Sequence, residues 1–117
     1  MILILYIFFG GGLGSVIRYL ISNIFIYYSL PIATLISNLL SCILIGLTLH
    51  FVQNFNLNEN LKFFFLVGFC GGLSTFSAFS YETVSFIKSG DINYAILNIF
   101  LSILLCASSL YFIIKNL

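Results

Sequence analysis

Residues 68–82 read GFCGGLSTFSAFSYE, a run that mixes glycines, hydroxyl side chains and phenylalanines inside a strongly apolar segment. In hydrocarbon an unpaired backbone N–H or C=O costs several kcal/mol. A helix is therefore interrupted at membrane depth only where protein or a polar cavity satisfies the freed groups. Gly71 and Gly72, followed by Ser74 and Thr75, predict such an interruption at the centre of a span. A break there leaves carbonyls at the end of one half-helix and N–H groups at the start of the next, the arrangement from which broken helices build ion sites.

The composition makes membrane depth the right setting. Of 117 residues, 62% are hydrophobic and only 6% are charged, so the sequence is built for a solvent other than water. At ~20 residues per span there is room for about four spans. The apolar runs place them at residues 2–22, 32–51, 61–87 and 92–114, forming a single all-α transmembrane domain. Residues 1–9 carry no basic stretch, so a cleavable signal peptide is not expected. A net charge of +1 argues against a nucleic-acid partner, which needs a basic patch. Cys42, Cys70 and Cys106 each sit in an apolar run and read as small hydrophobes rather than as disulfide or metal partners. The single His and the scattered thiols and acids make no ligand cluster or nucleophile–base pair, so no enzyme chemistry is indicated.

Each span carries a small number of residues that lipid alone does not explain. In the first, Gly10 and Gly14 have the small-xxx-small spacing of a close helix crossing. Arg18 stays charged at membrane depth, so it either anchors the helix end on carbonyl or carboxylate partners or attracts an anion at a pore mouth. Pro31 suits the first turn of the second span. There Thr34, Ser37, Asn38 and Ser41 fall at spacings of three and four, on one helix face. Hydroxyls often bond back to their own helix. The Asn38 amide has more donors and acceptors than its own helix can fill, which makes it either interhelical glue or part of a lining. His50 ends this span beside a polar link and reads as an interfacial residue. The third span is longer than a bilayer needs, in keeping with a central break. In the fourth, Asn98, Ser102 and Cys106 recur every four residues, with Ser109 beyond, and make a second polar track.

With four spans, Lys62 and Lys115 lie on one side and Arg18 and Lys88 on the other. Two basic residues against two give the positive-inside rule almost nothing to act on, so the chain is expected to insert both ways. Four short helices also enclose little, and their polar stripes need partners. An antiparallel homodimer is the simplest assembly that meets both conditions.

These residues resemble the Fluc-type (CrcB) fluoride channels over nearly the whole chain. The resemblance rests on GGLGSVIRY at residues 11–19, on Thr34 with Asn38 and Gly46, and above all on residues 68–82. It implies a dual-topology antiparallel homodimer with two fluoride pathways and a structural sodium ion at its centre. Phe76 and Phe79 are then the pore phenylalanines, Asn38 the pore amide and Glu82 the acidic residue near the pathway. Thr34, Ser77, Ser102 and Arg18 complete the expected pathway, and backbone carbonyls of Gly71 and Ser74 from both protomers hold the sodium. The implied activity is passive fluoride export across the inner cell membrane, which protects against fluoride toxicity. The chain departs from the family pattern at Ser74 and Ala78, where Thr is usual, at Ser15, where Ala is usual, and at Asn98, where some members carry Tyr.

Physical chemistry agrees with that implication. Fluoride holds its water tightly, so a conducting route must replace the water with N–H and O–H donors. Phenylalanine edges carry the positive end of the ring quadrupole and can face an anion edge-on. The sites must also be weak enough to leave. Two other readings differ in class: a small dual-topology proton-coupled exporter in which Glu82 trades protons for a cation, and a membrane assembly subunit without transport.

Overall fold

What the chain buries is small and polar, and what it exposes is large and apolar. Among the described residues, the buried hydrophobic side chains are Cys70, Leu73 and Ala95, whereas the buried polar ones are Ser37, Ser41, Thr48, Thr83, Asn98 and Ser102. Outward-facing leucines, isoleucines, valines and phenylalanines line every long helix. Water penalises that distribution and lipid does not, because lipid tails are as apolar as leucine.

The structure is a computed structural model and describes residues 1–28 and 30–117. In chain order these form α1 (Ile2–Ile24), α2 (Ile32–Phe55), α3 (Glu59–Phe63), a π-helical segment (Phe64–Phe69), α4 (Cys70–Leu73), α5 (Phe76–Ser89) and α6 (Ile92–Ile114). Among the described residues, four helical stretches are long and apolar enough to cross a membrane: Ile2–Ile24, Ile32–Phe55, Glu59–Ser89 and Ile92–Ile114. At ~1.5 Å per residue the shortest of them runs about 35 Å, enough for a hydrocarbon core of ~30 Å. The protein is an all-helical, multi-pass membrane protein.

Helix ends fall where the sequence supplies caps. α2 continues past residue 51 and stops at Asn56, whose left-handed φ of 48° suits an asparagine. The Asn58 side chain then accepts the Asn60 N–H at 2.9 Å and starts α3. α5 ends at Gly90, with φ 88° and the Asp91 N–H donating back to the Phe86 carbonyl at 2.9 Å, the left-handed stop that glycine allows.

Two features of the third span differ from the sequence expectation. Gly71 and Gly72 are helical, within α4, and the residues outside helical geometry are Ser74 (φ −80°, ψ 152°) and Thr75 (φ −150°, ψ 112°). The glycines have other work. A Cβ on Gly72 would overlap the Gly11 carbonyl oxygen, and one on Gly14 would overlap that of Phe69. Gly10 and Gly68 meet backbone in the same way. Gly10 and Gly14 therefore make the close crossing that their spacing predicts. Their counterparts are Gly68 and Gly72, a second pair four apart, and the two backbones touch along the π segment and α4. The π segment is the other departure. It adds a residue to the turn just where the backbone is pressed onto α1.

The remaining helices close the bundle on the other side. α2 packs on α6, where Gly46 admits the Ile113 side chain, and α5 packs mainly on α6. This leaves the junction of α4 and α5 beside the polar face of α2.

Candidate functional site

The junction is held by side chains from two other helices. In a continuous helix the Thr75 N–H would donate to the Gly71 carbonyl. Instead it donates to Oδ1 of Asn38 on α2 at 2.8 Å. Thr75 then caps α5, its Oγ1 accepting the Ala78 N–H at 3.2 Å. On the other side of the junction Arg18 Nε donates to the Gly72 carbonyl at 3.1 Å. The Cys70 carbonyl receives Ser41 Oγ at 2.9 Å, Ser74 Oγ at 2.8 Å and the Ser74 N–H at 2.9 Å. The Gly71 carbonyl is left without its helical donor. A Cβ built on Gly71 meets nothing within 4 Å, so this edge faces out of the chain.

Two concavities open from the junction, and Thr75 lines both. The first, about 350 Å³, has Arg18, Thr34, Glu82, Ser15 and Ser37 in its wall. Thr34 Oγ1 donates to Glu82 Oε1 at 2.5 Å, while the buried Glu82 Oε2 and Ser37 Oγ have no partner among the described residues. The second, about 330 Å³, brings together Asn38, Phe76, Phe79 and Ser102. The rings of Phe76 and Phe79 stand 5.7 Å apart between centroids with their planes tilted by 40°. Phe76 is 80% exposed, so within one chain it is not core packing.

Of the pathway residues expected from sequence, Arg18, Thr34 and Glu82 thus gather in one concavity, and Asn38, Phe76, Phe79 and Ser102 in the other. Ser77 joins neither: it is exposed and its hydroxyl lies 3.1 Å from Thr75 Oγ1, beside the cap. The fourth-span track also divides. Ser102 and Cys106 face the second concavity, whereas Asn98 Nδ2 donates to Thr83 Oγ1 at 3.1 Å and Thr83 in turn to the Phe79 carbonyl at 2.8 Å. Asn98 therefore braces α5 behind the Phe79 ring. Sequence reasoning put Ser37 on the polar face of the second span without giving it a pathway role, and passed over Thr83, whose signal was its place four residues after Phe79.

The chemistry of the site follows from which atoms are used up. Asn38 spends its carbonyl on the Thr75 N–H, and its Nδ2 amide makes no hydrogen bond within the chain among the described residues. With the Ser41, Ser74 and Thr75 hydroxyls committed to backbone, the second concavity presents the Asn38 N–H, the Ser102 hydroxyl, two thiols and two aromatic rings, with no carboxylate in its wall. That set favours a small anion. Among the described residues no group of three or more His, Cys, Asp or Glu side chains gathers to hold a metal ion.

Comparison with known proteins points the same way. The family described as CrcB-like protein, Camphor Resistance (CrcB), matches residues 5–113. The chain is 44% identical over 106 residues to a fluoride-specific ion channel FluC of Flavobacterium psychrophilum, covering 87% of this chain and 86% of that one. It is 42% identical over 113 residues to the protein of that name from Campylobacter fetus (93% and 88% covered), and 43% identical over 97 residues to that from Pyrococcus furiosus (81% and 79% covered).

Proposed function

This chain belongs to the CrcB-like family, and from that premise we propose that it is a fluoride-selective ion channel that lets fluoride leave the cell passively and so protects against its toxicity. The observation that carries the reading is the division of labour at Asn38. One end of the amide is committed to the Thr75 N–H, which fixes the other as a donor beside Phe76, Phe79 and Ser102. An anion entering this concavity exchanges water for the Asn38 N–H, the Ser102 O–H and the ring edges. Each contact is modest, as conduction requires. Arg18 and Glu82 in the neighbouring concavity set the charge near the entrance, with Thr34 holding one Glu82 oxygen.

The channel works as an antiparallel homodimer in the inner membrane. The even split of Lys62 and Lys115 against Arg18 and Lys88 supports insertion both ways. The outward-facing Phe76 and Gly71 support a second chain against the junction. The freed Gly71 carbonyl, and a Ser74 hydroxyl already occupied by the Cys70 carbonyl, fit a site made of neutral backbone oxygens. Such donors suit sodium better than zinc. Gly71 and Ser74 of each protomer would hold it, and a bound cation there offsets part of the unfavourable energy of bringing an anion into a low dielectric.

Purified protein in liposomes loaded with fluoride or chloride tests the proposal. Fluoride should leave and chloride remain, at a rate unchanged by an imposed pH gradient. Transport that runs only with a pH gradient would replace the channel with the proton-coupled exporter. A C-terminal tag should be cleaved from both faces of right-side-out membrane vesicles in similar amounts; cleavage from one face alone rules out dual topology.

A further inference from the structure

Cys42 on α2 and Cys106 on α6 are the two thiols of the second concavity, and the proposed route uses neither. Both lie in its wall with Asn38, Phe76, Phe79 and Ser102, and both are half-buried rather than sealed. The two cysteines come from helices that pack on each other, so one wall of the concavity carries a thiol from each. Cys70, the remaining thiol, is fully buried and is absent from this wall, although its carbonyl accepts the Ser41 and Ser74 hydroxyls there. We propose that Cys42 and Cys106 form a two-thiolate site for a soft, linearly coordinating divalent cation, opening on the concavity through which the anion passes.

The class of ion follows from ligand number and charge. Thiolates select soft metals, and structural zinc takes four ligands. No third His, Cys, Asp or Glu joins these two among the described residues. Two thiolates on a divalent ion make a neutral complex, the form that a low-dielectric wall accepts. The same pair on a monovalent ion would leave a negative charge. Binding replaces both thiol protons, which go to solvent, and nothing is oxidised. The metal then stands beside Ser102 and the two rings and obstructs the passage. That obstruction rests on the channel reading; the site itself does not.

Mercuric ion is the probe. Titrated into the purified protein, it should bind once per chain with an ultraviolet mercury–thiolate band. Cys42→Ser or Cys106→Ser should weaken this by more than the ~10–100-fold that even outer-shell changes cause. Cys70→Ala should leave it in place. In liposomes, stoichiometric mercuric ion should stop the fluoride efflux of the wild type, excess dithiol should restore it, and each single Ser variant should keep its own uninhibited rate. Equal mercury affinity in the Ser variants, or two mercury ions per chain, overturns the site. Tight binding that leaves fluoride efflux unchanged overturns the obstruction. Absence of any fluoride efflux before mercury is added would instead strike the channel reading, and the titration would still decide the site.

Discussion

The two halves of the third span are consecutive in sequence and opposite in character. From Glu59 to Leu73 the chain presses its backbone onto α1, with Gly68 and Gly72 against Gly10 and Gly14, and it holds the fully buried Cys70 and Leu73. From Phe76 onward the chain rests mainly on α6 and turns Phe76 and Tyr81 outward, 80% and 75% exposed. The first half is a fixed platform and the second turns its aromatic side chains outward. The difference teaches that the glycines and the phenylalanines of residues 68–82 answer to separate demands: glycine gives up its side chain so that backbones meet, and the rings are displayed beyond that contact.

Substitutions at glycine break the comparison most severely. Gly72→Val puts branched carbons into the Gly11 carbonyl, where only backbone can give way. We expect destabilisation of about 3 kcal/mol or more, seen as loss of monodisperse protein after detergent extraction. Gly71→Val, one residue earlier, meets nothing within 4 Å in its own chain. Its chain should therefore fold, and its loss should appear in dimer formation and flux; equal damage from both variants would erase the distinction between the two edges of α4.

The rings come next. Phe76→Ile and Phe79→Ile should each lower fluoride flux more than tenfold, about 1.4 kcal/mol in the barrier, while size-exclusion profiles stay unchanged. For Phe76 the stability effect should be negligible because the ring is 80% exposed. Wild-type flux in both variants would reduce the rings to packing.

Asn38 joins the two halves, and two substitutions separate its roles. Asn38→Asp keeps an acceptor for the Thr75 N–H and removes the donor, so flux should fall with the thermal midpoint retained. Asn38→Leu removes both and should also lose about 1 kcal/mol of stability, read as a lower midpoint. Equal midpoints for the two would show that the Thr75 bond does not hold the junction.

Arg18→Lys should have the smallest effect. It exchanges the 3.1 Å bond from Nε to the Gly72 carbonyl for a flexible ammonium that still supplies charge. We expect lower expression and a stability loss of about 0.5 kcal/mol, with fluoride still preferred over chloride. A change in that preference would move Arg18 from anchoring to selection.

By itself the sequence determined the solvent, the number of spans and the chemistry on offer. Sixty-two percent hydrophobic residues and four long apolar runs admit only a membrane setting, because hydropathy is a sum over residues and needs no partner. Helical spacing likewise put Asn38 on the polar face of the second span and made the Gly10–Gly14 crossing legible, whereas Phe76 and Phe79 were singled out by the family resemblance. Tertiary structure alone decided where the helix yields. Gly71 and Gly72 look like the weak point, yet Gly72 is locked against α1. Helical geometry ends at Ser74 and Thr75 because Asn38, 37 residues away, takes the Thr75 N–H that would have continued it. It also placed Ser77 beside the cap instead of in the concavity, sent Asn98 to Thr83, and put Cys42 and Cys106 in the wall of one concavity. A backbone hydrogen bond is won by whichever acceptor packing brings nearest, and that competition is settled between helices rather than along one.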